Sequence, residues 1–193
     1  CTARYCGTDS DGDGDPTNDP ETCTVGGTAS SFQGDDRSRG TMFTTDTPAT
    51  IESFDAYIAA GSSCLVDFYI ASRTGSSGTW DILWKGSNRS ASSSSAGWLS
   101  SGRIGQVVEP SKSYLLFYGW NCSSSTDAVT YYRGSGGGTD VGFGVQSGYH
   151  SNTYTSELNV GDTASLSAAA SSTYAYYLRA NVTDLDATSS ICP

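Results

Sequence analysis

Short apolar or alternating runs recur along this chain from about Phe32 onward, each closed by a cluster of Gly, Ser or Asp. Runs of that length, with turn residues between them, suit strands and leave no room for helices of ordinary length. We read strands over 40–45, 50–59, 64–72, 80–85, 97–101, 103–109, 113–120, 129–133, 141–146 and 173–182. Leu65 to Ile70 and Tyr114 to Trp120 are almost continuously apolar and read as central strands. Tyr174, Tyr176, Leu178, Ala180 and Val182 alternate with Ala175, Tyr177, Arg179 and Asn181, a period of two. Only 164–172 could turn briefly as a helix, and its Ser content argues against that. The expectation is an all-β chain, a two-sheet antiparallel β-sandwich of jelly-roll type. Composition agrees: 12 Tyr, 4 Trp and 6 Phe stand against one Met, and aromatic residues favour pleated surfaces.

Residues 1–30 have another texture, with few apolar side chains beyond Tyr5, Val25 and the Cys. They form no core of their own, so we divide the chain into an Asp-rich, Cys-containing arm, 1–30, and a sandwich, 31–193. A cation, disulfides or a docking surface would have to order such an arm. Its sharp feature is the run Asp9-Ser10-Asp11-Gly12-Asp13-Gly14-Asp15, followed by Asp19, Glu21 and Cys23. Alternating carboxylates with a turn-forming Gly wrap a hard cation, and Ca²⁺ takes six to eight oxygens. Asp9, Asp11 and Asp13 supply carboxylates in this reading, Asp15 a backbone carbonyl, and Asp19 or Glu21 a later carboxylate. The loop is EF-hand-like in its opening spacing, but its twelfth position is Pro20 rather than Glu. It resembles a calcium loop of a thrombospondin type 3 repeat. That resemblance implies Asp9, Asp11, Asp13, Asp15 and Asp19 as ligands and Cys23 as a structural bridge.

Six Cys without CxxC spacing point to disulfides and an oxidising, extracellular or cell-surface compartment. Cys1, Cys6 and Cys23 lie in the arm and Cys64, Cys122 and Cys192 in the body. If all six pair, three on each side leave at least one bridge tying an arm to a body. That body is its own or a neighbour's, and Cys1 with Cys192 would suit a head-to-tail joint. The chain begins at Cys1 rather than Met, which we read as a targeting segment either removed or lying upstream of this chain. Asn88, Asn121 and Asn181 stand in N-glycosylation sequons.

The net charge of −10 opposes binding to nucleic acid, and no apolar run approaches membrane-span length. We expect no catalytic residues. A hydrolytic triad would have to use His150, the only His, in an exposed-seeming loop. A glycoside hydrolase would need two converging carboxylates, and Glu52, Glu109, Glu157, Asp55, Asp67 and Asp81 show no pairing in their spacing. Trp80 and Trp84, on one face of a strand with Ile82, together with Trp98 and Trp120, are candidate glycan-stacking residues. We expect at least two of the four in the core. Tyr131, Tyr132, Tyr149, Tyr154 and Tyr174 are further platform candidates. The runs Trp80 to Lys85, Gly97-Trp98-Leu99-Ser100-Ser101-Gly102 and Lys112-Ser113-Tyr114-Leu115-Leu116 resemble jelly-roll modules of bacterial extracellular surface proteins. That resemblance implies adhesion, glycan binding or building of surface structures. The expected function is a non-enzymatic, calcium-stabilised subunit of a homo-oligomer or filament, its arm contacting the next copy. The alternative is a carbohydrate-binding module.

Overall fold

The computed structural model describes residues 21–75, 78–90, 93–141, 143–154, 157–170 and 174–184. Among these are fifteen strands and no helix. They are β1 (Glu21–Val25), β2 (Ser30–Gly34), β3 (Arg37–Thr45), β4 (Ala49–Ala60), β5 (Cys64–Thr74), β6 (Trp80–Ser90), β7 (Ser93–Ser100) and β8 (Gln106–Val108). After these come β9 (Lys112–Cys122), β10 (Val129–Gly134), β11 (Gly144–Thr153), β12 (Thr163–Ala164), β13 (Ala168–Ala170), β14 (Ala175–Tyr176) and β15 (Leu178–Asp184).

The strands make two antiparallel sheets. One runs β12-β6-β5-β9-β3-β11-β13. The other runs β1-β15-β4-β10-β14, with β7 and β8 also on β4 and β2 also on β10. The chain crosses repeatedly between sheets, from β3 to β4, β4 to β5, β8 to β9 and β9 to β10, as a sandwich of jelly-roll type requires.

Side-chain parity explains the layers. Alternate residues of a strand point to opposite faces. Val66, Phe68 and Ile70 of β5, with Tyr114, Leu116, Tyr118 and Trp120 of β9, face β4, β10 and β15 and build the main core. Tyr69, Ala71, Leu115 and Phe117 occupy the opposite face and are buried as well. The return from β11 towards β13 covers them, laying Tyr154, Leu158, Leu166 and Ala168 over that face. This explains the nearly unbroken apolar runs of β5 and β9, since strands buried on both faces lose the polar alternation. Gly40 lies beneath this cover on β3, where a Cβ would come within 2.3 Å of the Phe117 Cβ. No larger residue fits there without displacing β9.

Cys64 opposes Cys122 across β5 and β9, and the two form a disulfide. Cys23 is buried and disulfide-bonded. Cys1, Cys6 and Cys192 lie outside the described residues. The sequence groups 21–25 with the arm, whereas the structure makes this segment a strand of the larger sheet. Residues 21–25 pair with β15 from Glu21↔Val182 to Val25↔Leu178. Cys23 and Val25 point into the core while Thr22 and Thr24 face out. In the described part of the 164–172 stretch, Ala164 ends β12 and Ala168–Ala170 form β13, with no helical turn.

Candidate functional site

The metal candidates Asp9, Asp11, Asp13, Asp15 and Asp19 lie outside the described residues. Of Glu21 only the backbone is described, in β1 opposite Val182. Among the described residues, no group of three or more His, Cys, Asp or Glu side chains is placed to hold a metal.

The four Trp separate into two kinds. Trp80 and Trp120 are fully buried, and Trp120 donates from Nε1 to the Gly34 carbonyl at 3.0 Å. Trp84 and Trp98 are half-buried. Trp84 does not share the face of Trp80 and Ile82. The register opposite β5 slips between Trp84 and Ile82, so Leu83 is the extra residue of a bulge and the parity flips. Trp84 therefore packs against the main core, whereas Trp80 and Ile82 belong to the outer cluster. Trp98 lies on the solvent side of β7, with Tyr57 at 5.2 Å and Tyr177 at 4.8 Å between ring centroids. Tyr132 joins this patch through Tyr57, and Arg179 lies over Trp98 while bonding Asp55.

The candidate carboxylates are dispersed among different partners. Asp55 pairs with Arg179, Glu109 with Lys112 and Glu157 with Lys85. Asp67 accepts from the Tyr154 hydroxyl at 2.8 Å, and Thr183 donates to Glu52. Asp81 is exposed on β6 opposite Thr163. His150 lies in β11, not in an exposed loop, and is fully buried. Its Nδ1 is 3.1 Å from the Ser167 carbonyl and its Nε2 2.6 Å from Ser38 Oγ. A carbonyl only accepts, so the neutral ring carries its proton on Nδ1 and takes the Ser38 hydroxyl at Nε2. Burial pushes the pKa of His150 down to about 4, with Arg39 acting in the same direction. Among the sequons, Asn121 is exposed, Asn181 bonds Ser53, and the side chain of Asn88 is outside the described set.

A concave site forms where β11 and β13 of one sheet face β10 and β14 of the other. This groove, of about 490 Å³, is lined by Arg133, Tyr149, Ser151, Ser167, Tyr174 and Tyr176, among others. It opens beside a smaller hollow of about 210 Å³ lined by Phe32, Arg39, Tyr131, Arg133, Ser151 and Tyr176. Strand parity puts these residues there. Val129, Tyr131 and Arg133 alternate inward along β10, and Arg133 is where that line leaves the core. On β11 a bulge at Ser147 resets the register. Tyr149 and Ser151 then stand opposite Thr41 and Arg39 of β3, on the inner face.

Within the groove, Tyr149 and Tyr174 are 4.6 Å apart between centroids. Their hydroxyls are hydrogen-bonded, which together with burial holds Tyr174 above the usual phenol range. Arg133 is held between Tyr174, 3.9 Å from the ring centroid, and Phe32, at 4.8 Å. Beneath it Arg39, only 7% exposed, donates to the carbonyls of Ser38 and Asn152 and to the Tyr131 hydroxyl, at 2.7 to 2.8 Å. Burial raises Tyr176, despite a bond to Ser151. Tyr131, Tyr149 and Tyr174 are platform candidates in the sequence. Arg39, Arg133 and Tyr176 are not, because the partners that make them a site lie on other segments of the chain, as Arg39 with Tyr131, Arg133 with Tyr174 and Tyr176 with Tyr149. Comparison with protein-family models, curated proteins and solved structures finds no match to this chain.

Proposed function

We propose that this protein is a non-catalytic extracellular recognition module that binds carbohydrate in the groove between its two sheets. The observation that carries this reading is the groove's lining. Tyr149, Tyr174 and Tyr176 surround one concavity with Ser151, Ser167 and Arg133. Ring faces take the C–H faces of sugars, and hydroxyl and guanidinium groups take their hydroxyls. The Cys64–Cys122 disulfide supports an oxidising location. Calorimetry and a glycan array test the reading. Some glycan should bind, and Tyr174→Ala should weaken it by about 10-fold, the worth of one stacked ring. An array without a single binder, or a Tyr174→Ala protein that binds undiminished, would reject the groove as the site.

A second reading has its own observation. Among the described residues β1 is paired on one side only, with β15. It begins at Glu21, where the Asp-rich segment ends. An unpaired strand edge accepts a strand from another chain, and a calcium-shaped arm leading into that edge would join copies into a filament. Light scattering and electron microscopy, with and without EGTA, decide it. Polymers that loosen on chelation support it, and a monomer indifferent to EGTA sinks it.

A further inference from the structure

Two guanidinium groups without carboxylate partners among the described residues line the concave site, Arg133 in both the groove and the hollow and Arg39 in the hollow. Arg39 is nine-tenths buried, and its Nε has no hydrogen-bond partner. Arg133, half-buried, lies between the rings of Tyr174 and Phe32, and its side chain has no hydrogen-bond partner among the described residues. Neither the groove nor the hollow includes an Asp or Glu among its described lining residues. That is not for want of acids, since the chain has 20 acidic residues against 10 basic ones. Lys85, Lys112 and Arg179 each have a carboxylate. A buried cation without a counter-ion is costly, and the faces of Tyr131 and Tyr176, 4.7 and 5.9 Å from Arg39 Cζ, offset only part of that cost.

We propose that the mouth is built for a carboxylate borne on a sugar ring, so that the ligand is an acidic, uronate-type saccharide. This rests on the reading that the groove binds carbohydrate. Ring stacking holds the plane of the Arg133 guanidinium and leaves its edge N–H donors unspent. A planar fork of that kind takes a carboxylate with two parallel hydrogen bonds. Arg39 adds positive charge from below, fixed in place by its three bonds. The sugar bearing the carboxylate lies against Tyr174 and Tyr149. The net charge of −10 opposes approach of a polyanion. At physiological salt, charges beyond about 8 Å are largely screened, so contact with the two guanidinium groups decides the outcome.

The test uses the full chain at physiological salt, with a panel of oligouronates and the same oligomers after reduction of their carboxyl groups to alcohols. Titration calorimetry should show the acidic form binding at least about 10-fold tighter, the worth of one charged hydrogen bond. Arg133→Gln should abolish that preference, so that the acidic form binds no tighter than the reduced oligomer does. Arg133→Lys should restore part of it. Arg133 is at the rim, so an unshifted melting curve for each variant confirms the fold. If wild type binds both forms equally, the carboxylate assignment is wrong and the carbohydrate reading stands. If acid preference survives in Arg133→Gln, the carboxylate is held elsewhere and the proposal is overturned. If neither form binds, the proposal fails, and failure across a full glycan array as well would reject the carbohydrate reading.

Discussion

Acidification should destabilise this fold through one side chain, and the size of the effect follows from where that side chain sits. His150 is the only histidine in the chain and is fully buried. Phe117 lies at 5.3 Å between centroids, and the return from β11 to β13 covers the same face. Ser38 Oγ and the Ser167 carbonyl meet its two nitrogens, and the nearby charge is Arg39. All but the carbonyl disfavour or ignore the imidazolium. Its pKa is therefore pushed down to about 4 in the folded protein, against about 6.5 in an unfolded chain. Between those values the unfolded state binds the proton and the folded state does not. Stability is complete above about pH 6.5 and is lost as pH falls towards 4, where the loss levels off. Linkage gives about 2 kcal/mol lost at pH 5 and about 3 kcal/mol by pH 4. Urea denaturation of wild type and His150→Gln between pH 7.5 and 4.5 isolates this contribution, because other titrating groups are shared. The variant starts less stable, having lost a fitted ring, but the gap should narrow by about 2 kcal/mol at pH 5. A single histidine also gives an unambiguous NMR titration. An imidazole titrating near 6.5 in the folded protein, or a gap constant to within about 0.5 kcal/mol, would refute the argument.

Two further perturbations test the core. Replacing Cys64 and Cys122 by Ala opens a loop closed over a sequence separation of 58, so chain entropy predicts a loss of about 4 kcal/mol in urea denaturation. A loss under about 1 kcal/mol would mean that the unfolded chain gains little freedom. Trp120→Ala should cost about 3–5 kcal/mol, because it empties a fully buried site and strands the Gly34 carbonyl. Trp98→Ala should cost under about 2 kcal/mol, because that ring lies on the solvent side of β7 and is only partly buried. Equal losses would contradict the sorting of the two Trp into core and surface.

What the sequence shows and what it hides follow from strand geometry. Each of the ten expected strands overlaps an observed one because its alternation or continuous apolarity is local, but 103–109 shortens to β8, 141–146 meets β11 only from Gly144, and 173–182 divides into β14 and β15. Tyr176, Leu178, Ala180 and Val182 do point inward as the period of two requires, with Tyr177, Arg179 and Asn181 outward, but Ala175, expected in the outward set, is fully buried in the main core. The misses share a cause, which is information held by a partner strand. β2 buries almost nothing of its own and is a strand because β10 pairs with it. β1 carries an inward pair, Cys23 and Val25, but the pattern is short and adjoins an acidic run. The placement of Trp84 depends on one extra residue at Leu83, and parity arguments fail at a bulge because each later side chain changes face.

The groove carries the same logic into function. Its tyrosines stand out in sequence as aromatic residues in Ser-rich surroundings, but nothing local distinguishes a platform from core. Arg39 and Arg133 are ordinary strand arginines until pairing aligns them. Then Arg39 continues the inward line of Thr41 and Phe43 on β3, and Arg133 that of Val129 and Tyr131 on β10. An inward arginine in mid-strand would have to be buried among apolar side chains. Where the sheets part, the same parity puts two guanidinium groups at the edge of the core, against rings rather than carboxylates. Their chemistry is available to a ligand because the strands that carry them end there.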